Sequence, residues 1–201
     1  MENPFEVVRK FEKAIADYCE APDAVACTSC TTAILMAACW KKKELGPRVV
    51  SIPRFTYIGV VQSIHNAGHA IAFRDEIWKG QYVLDPLDIV DSARRLTSGM
   101  YKSGTMACLS LHWAKHLSVG QGGVILLDDP VAAAWLRKCR FDGRTEGVSP
   151  KDDEFIYPAF HAYMMPRDAA EALTKLAILP KHNEDLPNSD YADLSKCSLF
   201  R

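Results

Sequence analysis

Apolar and polar positions along the chain fall into helical and strand-like patterns. Phe5, Val8, Phe11, Ile15 and Tyr18 recur at helical spacing with charges between them, which predicts a helix over 5–20. A second helix is expected over 30–44, from Thr31 to the Lys41-Lys42-Lys43 run. Cations at that end suit the helix dipole, and Gly46-Pro47 stops it. Residues 56–67 are helical by pattern and end near Gly68, and 130–140 and 166–178 are helices each opened by a proline. Short apolar runs at 49–53, 70–73, 87–91, 107–111 and 123–127 predict strands. Strands alternating with helices predict an α/β fold with three layers, α/β/α, around a mostly parallel sheet. The chain divides into a large domain over 1–178 and an extended arm or disordered tail over 179–201, which is polar and contains Pro187.

Composition narrows the field of functions. The 201 residues carry 24 Lys+Arg against 25 Asp+Glu, so charge gives no argument for nucleic-acid or polybasic membrane binding. Apolar stretches are too short to span a bilayer, and the Met-Glu-Asn-Pro-Phe-Glu start lacks the pattern of a signal peptide. Seven cysteines, an odd number, fit a reduced cytoplasmic setting.

Three segments could carry chemistry. Lys115 stands between a strand and the glycine-rich run Gly120-Gln-Gly122-Gly123, with apolar neighbours. A partly desolvated lysine has a lowered amine pKa and can attack a carbonyl to form a Schiff base. Asp91 ends the apolar run Leu87-Asp88-Ile89-Val90, where open α/β sheets bind ligands. Its carboxylate could meet a protonated pyridine nitrogen or cap the following helix. Ser29-Cys30-Thr31-Thr32 leads into the second helix and could bind an anion through free N–H groups and hydroxyls, or serve as a plain N-cap. An amine nucleophile, an acid for a pyridine nitrogen and a phosphate cradle are what pyridoxal 5′-phosphate needs.

At these residues the sequence resembles the DegT/StrS-type sugar aminotransferases, in a shortened form. The family's Ser-Phe-His-x-x-Lys-x-x-x-x-Gly-x-Gly-Gly pattern is similar to Ser110 through Gly123, with Leu111 for the Phe. Its Ser-Gly-Thr-x-Ala-Leu segment resembles Ser29 to Ile34, and its Val-Pro-x-x-Thr-aromatic segment resembles Ile52 to Tyr57. Its Asp-x-Ala-Gln segment resembles Asp91 to Arg94, and Gly-x-Asn-x-Arg-Met followed by Ala-Ala resembles Ala159 to Met164 with Ala169-Ala170.

The resemblance implies the large domain of a type I pyridoxal-phosphate transferase, with the small C-terminal domain reduced or absent. Lys115 would hold the cofactor covalently and shuttle a proton, and Asp91 would pair with the pyridinium nitrogen. Ser110, Thr31 and Thr32 would bind the phosphate. Tyr57 would stack on the ring, although the residue alone also reads as a core aromatic. Arg94 stands where the family has Gln or His beside the cofactor. His161 replaces an Asn that reaches the phosphate from a partner subunit, which implies a homodimer with shared sites. The implied reaction moves an amino group from an amino acid such as glutamate to a keto sugar, nucleotide-linked, in amino-sugar or surface-polysaccharide biosynthesis. Related sugar dehydratases carry His at the lysine position, so Lys115 favours transfer.

Other readings stay open at this point. Cys27-Thr-Ser-Cys30 with His112 and His116 has metal-ligand types but poor spacing for one site, and the cysteine pair alone could be redox-active. A cofactor-binding homologue that does not transaminate would keep the same residues. Arg137, Arg140 and Arg144 could grip a diphosphate or lie on a solvated helix face.

Overall fold

Two hydrophobic clusters, one on each face of a sheet, organise residues 3–200 of the computed structural model. In chain order the main elements are α1 (Glu6–Cys19), β1 (Asp23–Cys27), α2 (Cys30–Leu45), β2 (Val49–Pro53), α3 (Ile58–Asn66), β3 (Ala70–Arg74) and β4 (Tyr82–Leu84). After them come β5 (Ile89–Asp91), β6 (Met106–Ser110), β7 (Gly123–Leu127), α4 (Pro130–Cys139) and α5 (Pro166–Leu176). The three expected layers are present. Period-two alternation sends Ala24, Ala26, Val90, Leu109, Val124 and Leu126 towards α1 and α5. It sends Val25, Cys27, Ile89, Cys108, Ile125 and Leu127 towards α2, α3 and α4. Phe11 and Ile15 of α1 are wholly buried, and each such side chain contributes about 2 kcal/mol.

Strand direction departs from the sequence expectation. Five strands pair in the order β1-β7-β6-β5-β4, and β2 pairs with β3. A single antiparallel bridge from Ser51 to Asp85 joins the two groups. Traced through these pairings, β1, β6, β5, β2 and β3 point one way, while β4 and β7 are reversed. Among the described residues the parallel pairs are β5–β6 and β2–β3, so the sheet is mixed rather than mostly parallel. The physical reason lies in the connections. Twelve residues, 111–122, separate β6 from β7 with no helix between them, and a four-residue turn joins β4 to β5; neither supplies the helical crossover that returns a chain to a parallel strand. Strand β1 itself was not foreseen, because Asp-Ala-Val-Ala-Cys has weak strand propensity, and β4 was not foreseen because it is three residues long.

The helices follow their local signals. Ser29 caps α2 by accepting from the Thr32 N–H at 3.1 Å, and Gly46, at φ +72°, ends the helix where its N–H reaches the Lys42 carbonyl. Pro130 and Pro166 each open a helix.

Residues 179–200 run back over the rim formed by the carboxyl ends of the five co-directional strands. The Ser98 N–H donates to the Lys181 carbonyl at 2.8 Å, and the Leu186 N–H donates to the Arg94 carbonyl at 2.9 Å. Arg95 forks onto Asp185 at 2.8 and 2.6 Å, and Asn188 Nδ2 donates to the Trp78 carbonyl at 2.6 Å. Arg54 pairs with Asp193 at 3.1 Å. Short 3-10 turns at Leu194–Lys196 and Ser198–Phe200 close the described chain. Among the described residues no helix is long and apolar enough to cross a membrane.

Candidate active site at the carboxyl rim of the sheet

Strand alternation and direction together choose what meets at the rim. Asp91 ends β5 on the face shared with Ile89, Ser110 ends β6 on the face shared with Cys108, and α2 packs against that face. Reversed β7 begins at the same rim with Gly123, paired to Ser110. A Cβ at Gly123 would fall against the Ser29 carbonyl and the Cys30 nitrogen. The absence of a side chain there lets the N-terminus of α2 come down onto the sheet.

Ser29, Thr31 and Thr32 form a polar helix start. Thr32 Oγ1 lies 2.9 Å from Ser29 Oγ and 3.2 Å from Thr28 Oγ1. Among the described residues no acceptor meets the Cys30 or Thr31 backbone N–H, the first two of the helix. Open N–H groups with hydroxyls beside them favour an anion. Tyr57 caps α3 at the same rim and is 55% exposed, so it is not a core aromatic. Its ring and Thr31 Cγ2 flank Gly59, where a side chain would collide with both.

Asp91 is 5% exposed. Its Oδ2 accepts from the Tyr82 hydroxyl at 2.7 Å and its Oδ1 from the Ala93 N–H at 2.9 Å. Burial pushes its carboxyl above the usual range, while those two donors, and the charges of Lys115 and Arg94, pull the other way. Lys115 is half-buried, in the loop that follows β6. Burial and the Arg94 charge lower its amine pKa, against the pull of Cys30 and Asp91. Among the described residues none hydrogen-bonds its ammonium. The structure therefore brings Lys115, Asp91, Arg94, Ser110, Thr31, Thr32 and Tyr57 to one rim.

Two of the expected site residues have other engagements. Arg94 turns to the returning arm: its guanidinium bonds the Pro187 carbonyl and Ser189 Oγ, and its Nε donates to Tyr191 Oη at 3.1 Å. His161 is exposed and pairs with Asp142 at 2.8 Å, with no contact to the Asp91 and Lys115 cluster within the chain. Tyr82 and Thr56, which hold Asp91, are residues to which the sequence assigned no role. Thr56 lay inside a quoted motif, and the Tyr82-Val83-Leu84 alternation was the available signal for the other.

The remaining sequence readings resolve on geometry. Among the described residues no three His, Cys, Asp or Glu side chains gather as a metal site. Cys27 and Cys30 are buried thiols, and burial pushes both above the ordinary thiol range, so neither is a reactive thiolate. His116 donates to the Glu184 carbonyl at 2.8 Å. Arg137 and Arg140 neither grip a diphosphate nor lie solvated. Arg137 forks onto Asp23 at 2.9 and 2.6 Å, and Arg140 is buried on Glu12, because α4 packs on β1. Arg144 lies with its Cζ 5.8 Å from the Phe141 ring.

Residues 2–101 match the DegT/DnrJ/EryC1/StrS aminotransferase family. Over that stretch, just under half of the chain, the sequence is similar to this family. The match includes Thr31, Thr32, Tyr57, Asp91 and Arg94, while Ser110, Lys115 and His161 lie beyond it. Solved structures share the fold. A Streptococcus pneumoniae protein assigned as a sugar aminotransferase, in its PMP form, superposes with a TM-score of 0.70 at 17% identity, over 87% of this chain and 59% of its own. The sugar aminotransferase CalS13 from Micromonospora echinospora gives 0.72 at 16% identity, over 86% and 60%. GDP-4-keto-6-deoxymannose-3-dehydratase, ColD, with bound GDP-perosamine gives 0.69 at 17% identity, over 87% and 61%. The chain thus spans about three fifths of the length of these structures. No curated protein matches it.

Proposed function

We propose that the chain is a pyridoxal-phosphate-dependent aminotransferase acting on a sugar. The observation that carries this reading is the placement of Lys115, an amine whose charge burial disfavours, and Asp91, a buried carboxylate, at one rim with the open N-terminus of α2. The residues fit the cofactor's parts. Cys30 and Thr31 N–H groups with Ser29, Thr32 and Ser110 hydroxyls suit the phosphate, Asp91 suits a protonated ring nitrogen, Lys115 suits the aldehyde, and Tyr57 offers an aromatic face. When bound, pyridoxal phosphate supplies a carbonyl that takes amines covalently and a ring that withdraws electrons from them.

The chain's own residues do the rest. Lys115 would hold the cofactor's aldehyde carbon as the neutral amine, and the same amine would be placed to take and return a proton. Asp91 stays ionised beside a cation, where its burial strengthens the attraction. The α2 N-terminus would hold the anionic end of the cofactor.

The donor in this reading is an amino acid such as glutamate, and the acceptor is a nucleotide-linked keto sugar in amino-sugar or surface-polysaccharide biosynthesis. The setting is the cytoplasm. The active form is a homodimer, in which His161 serves the partner's site. Mixing the loaded protein with glutamate in a single turnover tests the reaction, and pyridoxamine phosphate is the expected product. The engagement of Arg94 by residues 187–191 favours a second reading, a chain that binds cofactor without transaminating. Cofactor binding with no pyridoxamine phosphate formed would select it.

A further inference from the structure

The short side-chain hydrogen bond to the buried Asp91 carboxylate comes from the reversed strand β4, while the Cys30 thiol lies at 4.0 Å from the other oxygen. Tyr82 and Asp91 are direct partners in the antiparallel β4–β5 ladder, so their side chains leave the sheet on the same face. The Tyr82 hydroxyl donates to Asp91 Oδ2 at 2.7 Å and lies 2.6 Å from Thr56 Oγ1. With its proton given to Asp91, Tyr82 accepts from Thr56, and the three form one directed chain from the start of α3 to the carboxylate. The Tyr82 ring is 3% exposed and packs 4.7 Å from Trp78, whose indole N–H donates to the Phe55 carbonyl at 2.9 Å. The other carboxylate oxygen is held by the Ala93 N–H. Both oxygens are thus fixed by donors that are themselves fixed, which sets the plane of the carboxylate. Each oxygen keeps a further lone pair for a ligand.

We infer that Tyr82, supported by Thr56, is a positioning residue that orients Asp91 and keeps it an acceptor for a protonated ring nitrogen. The inference rests on the cofactor reading above and adds to it a residue outside the motifs. A hydrogen bond from a neutral hydroxyl stabilises the ionised acid over the protonated one. Without it, a carboxylate this deeply buried shifts towards the neutral acid, which cannot balance a pyridinium.

The test compares two probes, pyridoxal 5′-phosphate and its analogue with CH in place of the ring nitrogen. Both carry the aldehyde and the phosphate, but only the first can engage Asp91 through a ring N–H. Dissociation constants are read from quenching of tryptophan fluorescence in the full chain and in Tyr82→Phe, which keeps the ring packed against Trp78. The expected result is a loss of about tenfold for pyridoxal phosphate with a change of less than about twofold for the analogue. Equal losses for both probes, or no loss for either, would overturn the role of Tyr82 and leave the cofactor reading standing. A parent protein that binds neither probe would overturn both. Thr56→Val repeats the comparison with the tyrosine intact. A smaller selective loss supports the chain of donors, and an equal loss for both probes overturns it, including where the Phe variant does not fold.

Discussion

Gly123 meets Ser29 backbone against side-chain space, with no room for a Cβ between the start of β7 and the carbonyl before α2. The contact ties the glycine-rich loop after Lys115 to the N-terminal end of α2, two segments about ninety positions apart in the chain. Gly123→Ala must move that carbonyl. The expected cost is about 1–3 kcal/mol of stability, as for an overfilled core position. Binding of inorganic phosphate should weaken in parallel, by calorimetry. An alanine variant with the parent's melting temperature and phosphate affinity would show that the contact positions nothing.

Asp91 carries a stability cost that its removal should relieve. Its folded pKa lies above the unfolded value of 3.8, because burial outweighs its donors. The folded protein therefore holds more protons than the unfolded one in the window above 3.8, and stability falls as pH rises through it. Asp91→Asn removes this fall. The amide oxygen can accept from Ala93, and its NH2 can donate to Tyr82, which then donates to Thr56. In the cofactor-free protein at pH 7 the variant should melt a few degrees higher, on the order of 1 kcal/mol. It should also bind pyridoxal phosphate more weakly. A lower melting temperature with the pH profile unchanged would contradict the assignment.

Lys115 sits below the ordinary lysine pKa for the same first reason, burial, to which the Arg94 charge adds; both disfavour the ammonium. The neutral, reactive amine is then populated at lower pH than on a free lysine. The rate of imine formation with pyridoxal phosphate, followed by absorbance, should rise with pH and level off below the ordinary lysine value of 10.5. Arg94→Gln should move that midpoint upward. A profile that keeps rising through the ordinary lysine range would place Lys115 in water.

Glu12 is the structural counterpart of these site residues. Its carboxylate, 3% exposed, takes the Arg140 guanidinium and, at 2.8 Å, the Ala26 N–H, joining α1, β1 and α4. Glu12→Ala leaves Arg140 buried without a counter-charge, a loss of about 3–5 kcal/mol. Urea unfolding should show it as a lower midpoint at unchanged slope. Replacing both residues with apolar ones should recover most of the loss.

Much of this was legible in the chain, and the exceptions share a cause. Helix starts at Pro130 and Pro166, and strands at Val49–Pro53 and Gly123–Leu127, carry local signals strong enough to read alone. Asp23–Cys27 is a strand only because β7 pairs with it and helices cover both faces. The directions of β4 and β7 depend on how short their connections are, which periodicity does not record. At the site, Lys115, Asp91 and the α2 start were visible because their chemistry is set by type and local context. Tyr82 was not, because its role comes from a cross-strand register. Arg137 and Arg140 looked available on a helix pattern, and their partners Asp23 and Glu12 lie more than a hundred positions away.

The central claim is that pyridoxal phosphate is held covalently by Lys115 at this rim. Reconstituting the full chain with pyridoxal phosphate, reducing with borohydride and mapping the adduct by peptide mass tests it directly. The account predicts one stoichiometric pyridoxyl group on the peptide containing Lys115, and none in Lys115→Ala. Label spread over exposed lysines, or retained undiminished in that variant, would contradict it.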